Sequence, residues 1–410
     1  MNQQENQVQP PVPKPSVAPA TQVPVVNQDN GMRPPTNLSL ADEIIILEQK
    51  VADSKMPNEL KQKSLGMILR LQKMSTEGAF SREFEPISEY INWVTKIPFG
   101  RLTNDNLDLG NAQKSLDANH YGLQPVKDRI LEYLAVLKLQ AQKQAGQTQS
   151  AAGQSDTTEM KKLQGSSSHA PILCFVGIQG VGKTTMAKSI ATALGRQFVR
   201  VSLGGLGSVV ELRGRSRGEI DAEPGQIIKS LIRTDVMNPL ILLDEIDKVN
   251  SQTGLRADIM AALLEILDPE QNSAFMDKYV DYPINLSNAI FITTANNLGG
   301  ISAALIDRLE IIRFGSYTDQ DKIMIAKNYL LPKVRKATGL TEQQLSFDDN
   351  VWPLVIRPLG FDAGVRQLER TLTDLARKVA LMIVQGNSTG VQINEQNFRE
   401  FIPEQIGIVS

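Results

Sequence analysis

The chain has 410 residues, 43 Lys and Arg against 45 Asp and Glu, a net charge of -2, one cysteine and two histidines. The balanced charge gives no electrostatic case for nucleic acid or an anionic membrane, and no apolar run reaches the length of a membrane span. One Cys and two His rule out an internal disulfide and a zinc cluster, and no basic-then-apolar leader opens the chain, so a cytoplasmic protein of about two or three domains is expected.

Residues 1–36 read as a tail. Eight of the 21 prolines fall in the first 35 residues, among Gln, Asn and Val. Such a segment buries too little apolar surface to fold alone. Helical spacing begins after Ser39-Leu40-Ala41-Asp42, with Ile45, Leu47 and Val51 and then Leu60, Leu65, Ile68 and Leu71. Met56-Pro57-Asn58 breaks this run into two helices. An apolar and aromatic patch from Phe84 to Phe99 completes a helical arm over residues 37–110.

Residues 112–138 read as a turn followed by an amphipathic helix. His120 and Tyr121 lie at that turn, and taken alone are core residues. Residues 140–170, rich in Gln, Ala, Ser, Gly and Thr, read as a flexible insertion. From 171 onward strands and helices alternate. Strands are predicted at 172–176, 198–203, 239–244, 288–294 and 310–314, with helices near 183–194, 225–233 and 256–267. This alternation predicts a parallel five-stranded sheet with helices on both faces, over 111–315. Residues 318–386 read as helical, closed by Gly386, and Val391 onward as a strand and a short helix.

Three stretches carry chemistry. The run Ile172-Leu173-Cys174-Phe175-Val176 leads into Gly177-Ile178-Gln179-Gly180-Val181-Gly182-Lys183-Thr184-Thr185 and then a helix. Strand, glycine-rich loop and helix form the setting of a phosphate-binding loop. Gly177, Gly180, Val181 and Gly182 let the backbone wrap a polyphosphate, Lys183 reaches the β- and γ-phosphates, and Thr184 ligates Mg²⁺, with Thr185 beside it. Leu240-Ile241-Leu242-Leu243-Asp244-Glu245 ends a second apolar strand in two acids, at the edge where open α/β sheets bind ligands. Asp244 is expected to hold Mg²⁺ through its waters, and Glu245 to polarise the attacking water. A third strand ends Thr293-Thr294-Ala295-Asn296, where Asn296 can hold that water or the γ-phosphate. Arg308 and Arg366, each read alone, are surface ion-pair residues.

The order of these motifs resembles an AAA+ ATPase, and more closely the ATPase module of Lon proteases. The resemblance is carried by Leu116–Val136, by Pro171–Lys183, and by Leu243-Asp244-Glu245-Ile246-Asp247-Lys248. Ala262–Asn272 (Leu-Asp-Pro-Glu-Gln-Asn at its end) and Gly364–Arg370 extend it, so that it covers about 40–400. It implies an AAA+ αβα sandwich and a small helical domain over 316–410. It implies ATP and Mg as cofactors, and a homo-oligomeric ring, usually a hexamer. By this resemblance Arg308 matches the finger that reaches a neighbour's γ-phosphate, Arg366 the sensor of the helical domain, Asn296 the polar sensor, and His120 and Tyr121 the adenine segment.

Two departures stand out. The Ser–Lys proteolytic domain that follows this module in Lon proteases is missing, and no Ser-x-x-Lys or His-Glu-x-x-His pattern occurs, so no peptidase activity is expected. Met1 and the tail point to a naturally short chain. The segment Arg213-Gly214-Arg215-Ser216-Arg217-Gly218-Glu219-Ile220 matches the family's pore loop, with Glu219 where an aromatic grips substrate. The expected function is therefore Mg²⁺-dependent ATP hydrolysis by a Lon-like ring that remodels protein. An ATP-gated scaffold, or an ATPase serving a separately encoded peptidase, is the alternative. A nucleic-acid ATPase using Arg213, Arg215 and Arg217 is the least favoured.

Overall fold

The computed structural model describes residues 40–76, 83–150, 172–249, 253–356 and 364–402. The predicted tail lies outside them, as do residues 151–170 of the predicted insertion. Five strands, β1 (Ile172–Val176), β2 (Phe198–Ser202), β3 (Leu240–Asp244), β4 (Ile290–Ala295) and β5 (Leu309–Arg313), pair in the order β2-β3-β4-β1-β5. Every pairing is parallel.

β1, β3 and β4 are buried at every residue. Their unbroken apolar runs follow from helices covering both faces. Alternate β1 residues divide between two cores. Leu173 and Phe175 pack with α4 (Leu109–Asn119), α5 (Gln124–Ser150) and α6 (Lys183–Leu194). Ile172, Cys174 and Val176 pack on the other face with α7 (Gln226–Thr234) and α8 (Thr253–Leu267). Cys174 is a core residue, and burial pushes its thiol up to about 11.

The arm packs into that second core through α1 (Leu40–Asp53), α2 (Asn58–Thr76) and α3 (Phe84–Val94). Tyr90 Oη donates to Val280 O at 3.0 Å, and Lys63 pairs with Asp281 at 2.7 Å. A third core joins α9 (Asp319–Ile325), α10 (Leu331–Thr338) and α11 (Arg366–Val384) around Trp352, which stacks on Phe347 at 4.7 Å.

Two expectations need correction. Residues 140–150 are the end of α5, not flexible loop. Their Gln, Ala and Lys are good helix formers, and that outweighs a polar, linker-like composition. The stretch 318–386 is not wholly helical, because Leu345–Phe347 is a strand paired with Val391–Ile393. Strand boundaries elsewhere shift by one or two residues. Among the described residues no helix is long and apolar enough to cross a membrane.

Candidate nucleotide site

The parallel register sets the tips of three strands side by side. Val176 lies opposite Ala295, and Leu243 opposite Thr293. The loop after β1, the two acids ending β3 and Asn296 after β4 therefore share one edge of the sheet. They line a cleft of about 500 Å³ with His120, Tyr121 and, from the C-terminal helical part, Val365, Arg366 and Glu369.

In the loop, Gly180 and Gly182 take φ of +82° and +93°. Only glycine adopts these without strain, and such turns point successive N–H groups to one side. α6 starts at Lys183, so its N-terminus faces the cleft. Lys183 Nζ donates to the carbonyls of Gly177 and of Ile178 (3.1 Å), and to Asn296 Oδ1 at 3.0 Å. Burial pulls the Lys183 ammonium below the usual lysine range, opposed chiefly by Asp244. Thr184 lines the cleft, while Thr185 Oγ1 turns back to Gly182 O at 2.8 Å.

Asp244 is 4% exposed. Its Oδ2 accepts from Arg200 Nε at 2.6 Å, and its Oδ1 accepts from the Thr294 hydroxyl. Thr294 Oγ1 also accepts the Glu245 N–H at 2.9 Å. One hydroxyl thus ties both acids to β4. Glu245 has φ of +61°, a left-handed backbone rare outside glycine, and its carboxylate pairs with Lys248 at 2.8 Å. Strained backbone of this kind concentrates at functional sites. Asp247 accepts the N–H groups of Asn296 (3.1 Å) and Asn297 (3.3 Å), which orients the Asn296 turn.

His120 Nε2 meets Ser189 Oγ at 3.0 Å, and burial, with Lys127 adding, lowers its pKa to about 4. It is therefore a neutral wall of the cleft. Tyr121 packs against the third core. Arg366 sits on the loop: the Val365 N–H donates to Gly180 O at 3.1 Å. A Cβ on Gly364 would stand 2.5 Å from Gln179 O, so glycine is needed for this close approach. Of the predicted residues, Gly177 and Val181 of the loop do not line the cleft, and neither does Arg308. It pairs with Asp268 at 3.0 Å and is 41% exposed.

A polyphosphate fits this cleft, with the positive-φ glycines, the helix N-terminus and Lys183 around it. Magnesium fits as well. Among the described residues no three His, Cys, Asp or Glu gather to hold a metal unaided. Thr184 and Asp244 would supply two oxygens, which suits an ion that keeps several waters and takes phosphate oxygens.

Residues 173–317 match the model of the ATPase family associated with various cellular activities (AAA), and residues 336–391 that of the Lon protease AAA+ ATPase lid domain. The chain is 41% identical over 352 residues to the Lon protease of Desulforamulus reducens, which covers 86% of this chain and 40% of that protein. It is 44% identical over 333 residues to the Lon protease of Endomicrobium trichonymphae (81% and 38%) and 42% over 364 residues to Lon protease 1 of Bacillus subtilis (89% and 43%). The chain belongs to the Lon family of AAA+ ATPases. It spans about 40% of the length of the curated relatives it matches. In this Lon-family module the sheet carries the glycine-rich loop, and the lid reaches it through Gly364, Val365 and Arg366.

Several residues of the site escaped the sequence reading. Arg200, on exposed edge strand β2, had no spacing signal. Thr294 lay in a noted polar cluster, but only the β3–β4 register shows that it bridges the acids. Tyr317 Oη donates to Val181 O at 2.9 Å and was not singled out. Gly214-Arg215-Ser216-Arg217-Gly218 fits a bare Gly-x-Ser-x-Gly pattern, so the chain is not free of every peptidase-like motif. It follows a helical turn, Val209–Arg213, not a strand, so it is no nucleophile elbow. His120, the one histidine among the described residues, has its ring on Ser189.

The segment matched to the pore loop projects its last residue. Ile220 is 86% exposed beside Glu219. Arg213 and Arg217 are held by Glu265 at 2.6 Å and Asp281 at 3.1 Å, and Arg217 also lies over the Tyr90 ring at 4.5 Å. Arg215 donates to Ile220 O at 2.9 Å, so all three arginines considered for nucleic acid are engaged within the chain.

Proposed function

We propose that this chain is an Mg²⁺-dependent ATP hydrolase that acts in the cytoplasm as a homo-oligomeric, hexameric ring and remodels protein. The reading is carried by one observation: phosphate loop, paired acids, Asn296 and lid arginine meet in a single cleft. ATP with Mg²⁺ supplies the γ-phosphoryl group for transfer to water. Gly180 and Gly182 turn their neighbours' N–H groups to the phosphates, and Lys183 adds charge that burial has left poorly solvated. Thr184 and Asp244 are the metal-side residues. Glu245, with its backbone held by Thr294, orients the water and receives its proton. Asn296, held by Asp247, positions that water or the γ-phosphate. Arg366 ties lid position to phosphate occupancy, and His120 and Tyr121 line the base side. Arg308, exposed and away from its own cleft, is assigned to a neighbour's site, which requires a closed head-to-tail interface.

Protein remodelling is favoured by exposed Ile220, which offers an aliphatic grip beside Glu219. An ATPase serving a separate peptidase uses the same parts. No peptidase role is assigned to these residues.

The test is steady-state ATP hydrolysis with Mg²⁺ for wild type and Glu245→Gln, with and without casein, and with oligomer size measured in parallel. The expected result is turnover abolished by Glu245→Gln with ATP binding kept, and stimulation by casein. No turnover in a wild type that binds ATP and forms a ring refutes the hydrolase and leaves an ATP-gated scaffold.

A further inference from the structure

Arg200 holds an unusual place. It sits on edge strand β2, on the face opposite buried Val199 and Val201, with its side chain half exposed and lining the nucleotide cleft. Its Nε lies 2.6 Å from Asp244 Oδ2, while Asp244 is almost wholly buried. The parallel register brings this about: Ser202 lies opposite Asp244, and Arg200 is one pleat earlier on the same face of β2.

A buried carboxylate demands a counter-charge. Arg200 provides one, and the other oxygen of Asp244 is taken by Thr294. A divalent cation at Thr184 and Asp244 would claim the same negative charge. Two cations near one carboxylate repel, and in a partly desolvated cleft that repulsion exceeds its value in water. The asymmetry of exposure shows which group can yield. Arg200 is flexible, at a sheet edge and half in solvent, whereas Asp244 is fixed between two strands.

We propose that Arg200 is a cation switch of the nucleotide site. It competes with the nucleotide's metal ion for Asp244, and its guanidinium serves the phosphates when it leaves the carboxylate. Phosphate and carboxylate are both bidentate partners of guanidinium, so the exchange keeps Arg200 paired in either position. The switch rests on the nucleotide site proposed above. It adds a consequence which that reading alone lacks: Arg200 opposes the metal and supports metal-free nucleotide.

A fluorescent ATP analogue is titrated in EDTA, and again at stepped Mg²⁺, for wild type, Arg200→Gln and Arg200→Lys. Loss of one charge-assisted hydrogen bond is worth roughly tenfold. Arg200→Gln is expected to weaken metal-free binding about tenfold and to lower the Mg²⁺ concentration for half-maximal binding about tenfold. Arg200→Lys keeps the charge but loses the bidentate fork, so it is expected between wild type and Arg200→Gln on both scales. Opposite shifts from one substitution are not produced by general damage to the site. If Arg200→Gln weakens both constants, or leaves the Mg²⁺ midpoint unchanged, Arg200 only supports the strand and the switch is wrong. If the wild type binds no nucleotide at any Mg²⁺ concentration, the hydrolase reading itself fails and the switch falls with it. Arg200→Met, of similar length and uncharged, makes the same comparison should the Gln variant not fold.

Discussion

Gly364→Ala tests the seam between lid and phosphate loop. The added Cβ would lie 2.5 Å from Gln179 O and 2.9 Å from Gly180 C and Cα, all backbone atoms that cannot swing aside. Ordinary contact begins near 3.4 Å, so the seam must open by roughly 0.9 Å. The Val365 N–H bond to Gly180 O, 3.1 Å long, lies in the same seam and is stretched with it. Overpacking of this kind costs about 1–3 kcal/mol. Because the lid can relax by tilting away, most of the cost falls on closure over nucleotide and little on unfolding. At about 1.4 kcal/mol per tenfold, ATP affinity should drop by about 5- to 100-fold. The assay is a nucleotide titration with thermal unfolding measured on the same samples. Gly66→Ala is the control, since its Cβ would meet nothing within 4 Å in the middle of α2. Equal ATP affinity in the two variants would refute the seam. So would a loss of Tm in Gly364→Ala as large as a buried cavity produces.

Two further outcomes follow from the site. His120 is neutral and buried with a pKa lowered to about 4, against about 6.5 when unfolded. Its contribution to stability is fully present above pH 6.5 and is lost as pH falls toward 4, because only the unfolded chain takes up the proton in that window; the full loss is about 3 kcal/mol. His120→Gln should therefore lose less Tm than wild type between pH 7 and pH 4.5, and an equal loss in both proteins would count against this account. Arg308→Ala should lower ATP turnover by about 10³ or more while leaving ATP affinity within about twofold, as expected for a finger acting in trans. Mixed rings of Arg308→Ala and Glu245→Gln subunits should regain turnover, because a Glu245→Gln subunit lends its Arg308 to a neighbour with an intact Glu245; activity no higher than that of either variant alone would remove that role.

Much of the candidate nucleotide site is legible in the sequence because the residues that form it are local. A buried strand, a glycine-rich turn and a helix N-terminus are contiguous in Gly177–Thr185, so residue type and spacing carry the geometry directly. The same holds for Leu240–Glu245, where four apolar residues fix the strand and place both acids at its end.

The rest depended on which strands lie beside one another. The Arg200–Asp244 pair and the Thr294 bridge between Asp244 and Glu245 come from parallel register across segments some 40 to 50 residues apart. No local pattern encodes that register. Gly364 carries no local signal of its own, and only its approach to the Gln179 carbonyl shows why no side chain fits there. The strand Leu345–Phe347 is three residues long and exists only because Val391–Ile393 lies against it. Sequence alone determined the chemistry that a few neighbouring residues can perform. Tertiary structure decided which distant groups share charge with it, because hydrogen bonds and ion pairs depend on separation in space and not along the chain.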